Sequence, residues 1–265
     1  MIDQLTPPLR AVMMDLDGVL WRGPQPIGDL PEIFAALEAR NLGVMLLSNN
    51  ATRTVEDVQQ KLLGYGVRIG AEQVVSAAMA VAFLLKKQYP EGGPVYVIGE
   101  SALRQSLESA GFWIDDEKPL AVVAGLDRQV TYEKLRKASL FIGAGVPFFG
   151  SNPDTSYPEP EGLVPGAGAI LALLEATTGV EPVIAGKPRP ALFQLALERL
   201  GTRPEDTLMI GDRLDTDILG GQLMGIRTAL VLTGVSTLEE AERWTPVPDL
   251  IAPDLTHLLF AKVES

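Results

Sequence analysis

Three short apolar runs in this chain each stop at a polar cluster. Ala11-Val12-Met13-Met14 ends in Asp15 and Asp17, with Gly18 next. Val44-Met45-Leu46-Leu47 ends in Ser48-Asn49-Asn50, and Thr207-Leu208-Met209-Ile210 ends in Gly211-Asp212. Runs that are continuous rather than alternating read as strands buried on both faces, the signature of a parallel sheet. Between the first two runs, Glu32 to Arg40 carries apolar Ile33, Phe34, Ala36 and Leu37 at helical spacing, so the stretch reads as a right-handed strand-helix-strand unit. The expected fold is α/β, with a doubly wound, Rossmann-like parallel sheet. In such sheets the carboxyl ends of the strands form the edge where ligands bind.

Asp15 and Asp17 are two residues apart, so an extended chain puts both carboxylates on one side. Two like charges there repel unless a cation sits between them. The simplest reading is a magnesium site with one carboxylate able to attack. Asp-Gly also starts turns, so the pair alone leaves a plain strand-to-turn junction open. Ser48 ends the next strand at the same edge, and its hydroxyl, Asn49, Asn50 and the following amides can donate to an anion. Thr52 or Thr54 is placed to cap a helix starting near Val55. Lys187 stands between Gly186 and Pro188, just before a helix expected from Pro190 to Leu200; an ordinary surface lysine is the alternative. Asp212 follows a buried strand, while Asp215 and Asp217 fit the first turn of a helix for dipole reasons.

Composition removes whole classes of chemistry. The chain has no cysteine and one histidine, so thiol nucleophiles, thiolate metal sites and iron–sulfur clusters are excluded. That histidine, His257, lies in a short amphipathic segment near the C-terminus, and a Ser-His-Asp triad is not expected. Catalysis must then rest on carboxylates, lysine, hydroxyls, amides and a hard cation. A net charge of −12 argues against nucleic acid or an anionic membrane as partner. It also means that an anionic substrate needs a local positive site. No segment reads as a membrane span, Met1 to Arg10 does not read as a secretory signal, and a cytoplasmic enzyme is expected.

Along the chain, Gly18 to Pro31 reads as a loop holding Trp21, either a substrate-facing flap residue or an anchor for that loop. A strand over Gln73 to Ser76 and a helix over Ala77 to Gln88 follow. From Tyr89 the pattern restarts with strands at Val95–Gly99, Leu120–Gly125 and Leu140–Gly145, and helices at Ser101–Ala110 and Tyr132–Ala138. The expected organisation is a core over 1–77 and 183–265, interrupted by an α/β insertion over 78–182, with the core resuming at Val183.

Asp15-x-Asp17-Gly18-Val-Leu-Trp, Ser48-Asn-Asn, Gly186-Lys187-Pro188 and Gly211-Asp212-x-x-x-Thr-Asp217 together resemble the ordered motifs of the haloacid dehalogenase superfamily. The resemblance is to its NagD-like, p-nitrophenylphosphatase and phosphoglycolate phosphatase branch. Asn152-Pro-Asp154 and Gly162-Leu-Val-Pro-Gly166 resemble that branch's join between cap and core.

The resemblance implies a phosphomonoesterase acting on small phosphorylated metabolites. Asp15 would form an aspartyl phosphate, and Asp17 would serve as general acid and then base. Mg²⁺ would be held by Asp15, the Asp17 carbonyl and Asp212, with Asp217 acting through water or on Lys187. Ser48, Asn49, Asn50 and Lys187 would hold phosphoryl oxygens. The insertion would be a cap of the second type, setting specificity and allowing a homodimer. Trp21, Arg53, Asp127, Arg128 and Asn152 are candidates for substrate or cap contacts. Asp154 and Arg53 could equally pair between domains, and Arg189 and Arg213 could be plain surface charge. A phosphomutase, a dehalogenase and a non-catalytic metabolite-binding protein are the alternatives.

Overall fold

A computed structural model describes residues 1–159 and 161–261. The chain divides into two compact units, one comprising Met1–Ser48, Val55–Val75 and Phe193–Ser265, the other Asn49–Thr54 and Ser76–Leu192.

The first unit is built on a six-stranded sheet. Its order is Leu250–Ala252, Arg227–Val231, Thr207–Gly211, Ala11–Asp15, Gly43–Ser48 and Val74–Ser76. The Ala11–Asp15 strand is central and runs parallel to both neighbours. Met14 lies opposite Ile210 and Asp15 opposite Leu47. That register brings Asp15, Ser48 and Asp212 to one edge of the sheet, because each is the residue at which its run stops being apolar. Val12, Met14, Leu46, Leu208 and Ile210 share one core with Ile33 and Leu37. Ala11 through Met14 are all at 0% exposure, so the sheet is covered on both faces, as the unbroken apolar runs require. Burying one such large side chain contributes about 2 kcal/mol.

Local chemistry sets the helix bounds. The first long helix is Leu30–Ala39 rather than Glu32 to Arg40, because Asp29 accepts from the Glu32 amide at 3.0 Å and Pro31 sits in the first turn. Asn41, at φ 54°, turns the chain out after it. The stretch expected as a plain loop contains a small antiparallel hairpin, Trp21–Arg22 with Gln25–Pro26. His257 is exposed on a short helix, Leu255–Phe260, and its Nδ1 lies 2.9 Å from Asp254.

The second unit has its own five-stranded parallel sheet, ordered Val183–Ile184, Phe148–Gly150, Ala121–Ala124, Gly93–Ile98 and Phe112–Ile114. Two expectations change here. Leu140–Gly145 is not a strand: the helix begun at Tyr132 runs on to Gly143. Thr131 caps that helix, and Leu135, Ala138 and Ile142 follow a helical stripe into the second core. Leu140 points out of that stripe, at 59% exposure. The strand is Phe148–Gly150, after a turn at Ala144 and Gly145. Val183–Ile184 pairs with Phe149–Gly150, so this strand belongs to the second sheet and does not resume the core. The unit also holds a hairpin, Ser156–Glu159 with Gly162–Pro165, and the helices Ala77–Gln88, Ser101–Ser109 and Ala167–Thr178. Among the described residues no helix is long and apolar enough to cross a membrane.

Candidate active site

At the carboxyl edge of the first sheet, Asp15, Asp212 and Asp217 each offer a carboxylate oxygen, and these oxygens lie within 4.8 Å of one another. Asp212 and Asp217 are buried, at 3% and 0% exposure, and Asp15 is half-buried. Three carboxylates so close repel strongly in a partly dehydrated site. An all-oxygen anionic set suits a hard divalent cation such as Mg²⁺, so the residues fit the metal that the motifs imply. Asp217 belongs to this cluster by its side chain, whereas the carboxylate of Asp17 does not. Asp17 is solvent-exposed and its Oδ1 accepts from the Trp21 indole at 2.8 Å.

The backbone around these groups leaves little room. The Leu214–Ile218 segment is a wide π-type turn in which Ile218 N–H reaches the Arg213 carbonyl. It brings Asp217 Oδ2 to the Arg213 amide, at 3.2 Å. A Cβ on Gly211 would stand 2.1 Å from the Cβ of Asp217. Gly18 has φ +94°, and a Cβ there would be 2.5 Å from Asp212 Oδ2. Gly211→Ala is therefore expected to cost about 3 kcal/mol in urea unfolding. A cost within error of zero would mean that the turn carrying Asp217 moves freely.

A loop that the sequence motifs do not include supports the cluster. Val235 N–H donates to Asp212 Oδ2 at 2.8 Å, and Ser236 N–H donates to the Asp212 carbonyl at 3.0 Å. Ser236 Oγ accepts from the Leu214 amide at 3.0 Å, and Thr233 Oγ1 donates to the Gly18 carbonyl at 2.6 Å. Between them, a Cβ on Gly234 would be 1.8 Å from Asp212 Oδ2. The legible signal is Thr233-Gly-Val-Ser236 directly after the apolar run Ala229 to Leu232, a further strand end at the same edge. Asp215 is turned away: it is exposed, and the Arg213 guanidinium forks onto it and holds its carboxyl below the usual range. Ser48 is buried, at 7% exposure.

Other sequence candidates lie in the second unit and form their own network. Asn49 Oδ1 accepts from the Lys187 amide at 2.7 Å, and its Nδ2 donates to the Lys187 carbonyl and to Asp154 Oδ2. Asn152 Nδ2 donates to the Asn49 carbonyl at 2.8 Å. Gly186 is needed because a Cβ there would be 2.7 Å from both Asn49 Oδ1 and the Ser151 carbonyl. Lys187 is buried at 2% exposure, which overturns the surface alternative. Asn50 Oδ1 accepts from the amide and hydroxyl of Thr52, a side-chain turn. Arg53 is half-buried, and Arg189 is exposed.

Asp127 is buried and paired with Lys134 at 2.7 Å. Arg128 forks onto Glu100, whose carboxyl it holds below the usual range. Both thus have structural partners within their unit. Trp21 is at 0% exposure, so of its two readings the structure takes the loop anchor and not the substrate-facing flap.

Known proteins are similar to this chain along most of its length. Residues 12–113 match the haloacid dehalogenase-like hydrolase family, and residues 184–258 match the HAD-hydrolase-like family. An acid sugar phosphatase of Staphylococcus saprophyticus is 38% identical over 251 residues, which is 94% of this chain and 96% of that protein. The chain belongs to the haloacid dehalogenase-like hydrolases. Within them it is a NagD-like phosphatase. NagD from Escherichia coli superposes with a TM-score of 0.87 at 34% identity, over 93% of this chain and 97% of that one. The p-nitrophenyl phosphatase from Archaeoglobus fulgidus gives 0.90 at 30% identity, over 97% and 100%. The four motifs that carried the resemblance thus belong to a NagD-like hydrolase along nearly its whole length.

Proposed function

We propose that this haloacid dehalogenase-like phosphatase is a cytoplasmic, Mg²⁺-dependent enzyme that hydrolyses small phosphomonoesters through an aspartyl phosphate. The carrying observation is the Asp15, Asp212 and Asp217 cluster at the carboxyl edge of the sheet. Asp15, Asp212 and the Asp17 carbonyl are the ligands proposed for the ion, with Asp217 beside them. When bound, the ion neutralises charge on the transferring phosphoryl group, a principal need of phosphoryl transfer.

The rest falls to side chains. An oxygen of Asp15 attacks phosphorus, the bond to the leaving oxygen breaks, and that oxygen takes a proton from Asp17. Water then attacks phosphorus and gives its proton to Asp17, and the Asp15–phosphorus bond breaks to release phosphate. Ser48, Asn49, Asn50 and Lys187 are assigned to the phosphoryl oxygens on the match of their motifs. The Staphylococcus relatives are named acid sugar phosphatases, which favours sugar phosphates as the first substrates to try. The second unit is assigned as the specificity-setting cap.

Phosphate release is expected from p-nitrophenyl phosphate or from a panel of sugar phosphates, phosphoglycolate and nucleoside monophosphates, with Mg²⁺ present and EDTA abolishing it. A folded protein that releases phosphate from none of them overturns the proposal.

A further inference from the structure

We propose that Trp21 is a positioning residue for proton transfer: its indole N–H fixes one oxygen of Asp17, so that the other, Oδ2, is the oxygen that carries the proton. The inference rests on the assignment of Asp17 as general acid and base made above. Its ground is geometric. Trp21 Nε1 donates to Asp17 Oδ1 at 2.8 Å. The two residues are also joined through the backbone, where Gly18 N–H donates to the Trp21 carbonyl at 2.7 Å. An indole nitrogen can only donate, so it selects an oxygen that bears no proton. The carboxylate is held in one rotation, and its roles are divided between its two oxygens.

The anchor itself is held fast. Trp21 is at 0% exposure, a burial that a pure surface flap would not show. Lys61 Nζ stands 4.0 Å above its ring and donates to the Gly23 carbonyl at 2.9 Å. Tyr65 packs against the ring at 6.3 Å, and its hydroxyl donates to the Pro24 carbonyl. Arg22 donates to the Thr233 carbonyl, and Thr233 in turn donates to Gly18. Side chains from the helix Val55–Gly64 and from Tyr65 just beyond it, together with the backbone carbonyl of Thr233, thus grip the hairpin on which Trp21 sits. A general acid works only if its proton meets the leaving oxygen within hydrogen-bond reach. An exposed aspartate on a mobile loop would meet it rarely, and this grip removes that freedom.

The test uses leaving groups. Protonation matters for an alkoxide and hardly at all for p-nitrophenolate, which leaves unaided. For Trp21→Phe, kcat/KM toward alkyl phosphates, sugar phosphates included, is expected to fall roughly tenfold or more, a part of what a general acid contributes. The value for p-nitrophenyl phosphate is expected to stay within about twofold, so the leaving-group dependence steepens.

Should the phenylalanine variant unfold, a second variant carries the test. Benzothienylalanine introduced at position 21 alone replaces the indole N–H by sulfur at nearly the same volume, and the same steepening is expected. Equal losses on all substrates would mark a packing role only and overturn the inference. So would unchanged kinetics in either variant. A wild-type enzyme inactive on the whole series would overturn the parent reading instead, and this one with it.

Discussion

Asp15→Asn is expected to lower phosphate release by roughly 10³-fold or more while thermal unfolding stays close to wild type. The loss is large because an amide cannot form the acyl phosphate, and no other carboxylate can take its place: Asp212 and Asp217 are buried and tied by backbone amides. The fold should survive because Asp15 ends its strand, half-buried, with its backbone already registered against Leu47. Asparagine keeps the shape and removes one of three mutually repelling charges. Mass spectrometry must accompany the assay, since deamidation would regenerate the aspartate. Undiminished turnover in a variant shown by its mass to be free of deamidation would place the nucleophile elsewhere.

The second large effect concerns Asp212, and it separates metal binding from stability. In Asp212→Asn the amide oxygen can still accept from Val235 N–H, as Oδ2 does now at 2.8 Å. In EDTA the variant is therefore expected to melt at or above the wild-type temperature, because one charge has left a crowded anionic site. With Mg²⁺ the order reverses. A ligand that binds only the folded state stabilises it, by about 2.7 kcal/mol at a concentration one hundred times Kd. Wild type should show that Mg²⁺-linked rise in melting temperature and the variant should lose most of it, together with activity. A variant that keeps the full rise would mean that Asp212 is not a ligand.

Much of this was legible in the sequence, and the reasons are physical. The Ala11–Asp15 and Thr207–Gly211 strands could be read because strands covered on both faces must be unbroken runs of apolar residues. The helix Ala77–Gln88 has its expected bounds, and Ser76 caps its start. The carboxylates stood out because charge directly after a buried strand is costly without a purpose.

What escaped had weaker local signals. The Leu140–Gly145 stretch has the composition of a strand, and only its continuity with Leu135 and Ala138 on one helical stripe reveals a helix. Val183–Ile184 is too short to say which sheet it joins. The Trp21–Asp17 bond depends on a hairpin of two-residue strands, below what periodicity can resolve. The role of Thr233–Ser236 depends on where a fourth strand ends in space.

The strand order also bears on how the chain is made. Ala11–Asp15 is synthesised well before its neighbour Thr207–Gly211, and Arg227–Val231 and Leu250–Ala252 come later still. The central strand of the first sheet therefore leaves the ribosome with one side unpaired and waits while the whole of Ser76–Leu192 is translated. The second sheet needs no such wait, since every strand in it lies between Gly93 and Ile184. Pairing across so long an intervening stretch is slow, and unpaired apolar edges aggregate. The vulnerable period in the life of this enzyme is the interval before Thr207–Gly211 emerges, and the Ala11–Asp15 strand is the segment left exposed.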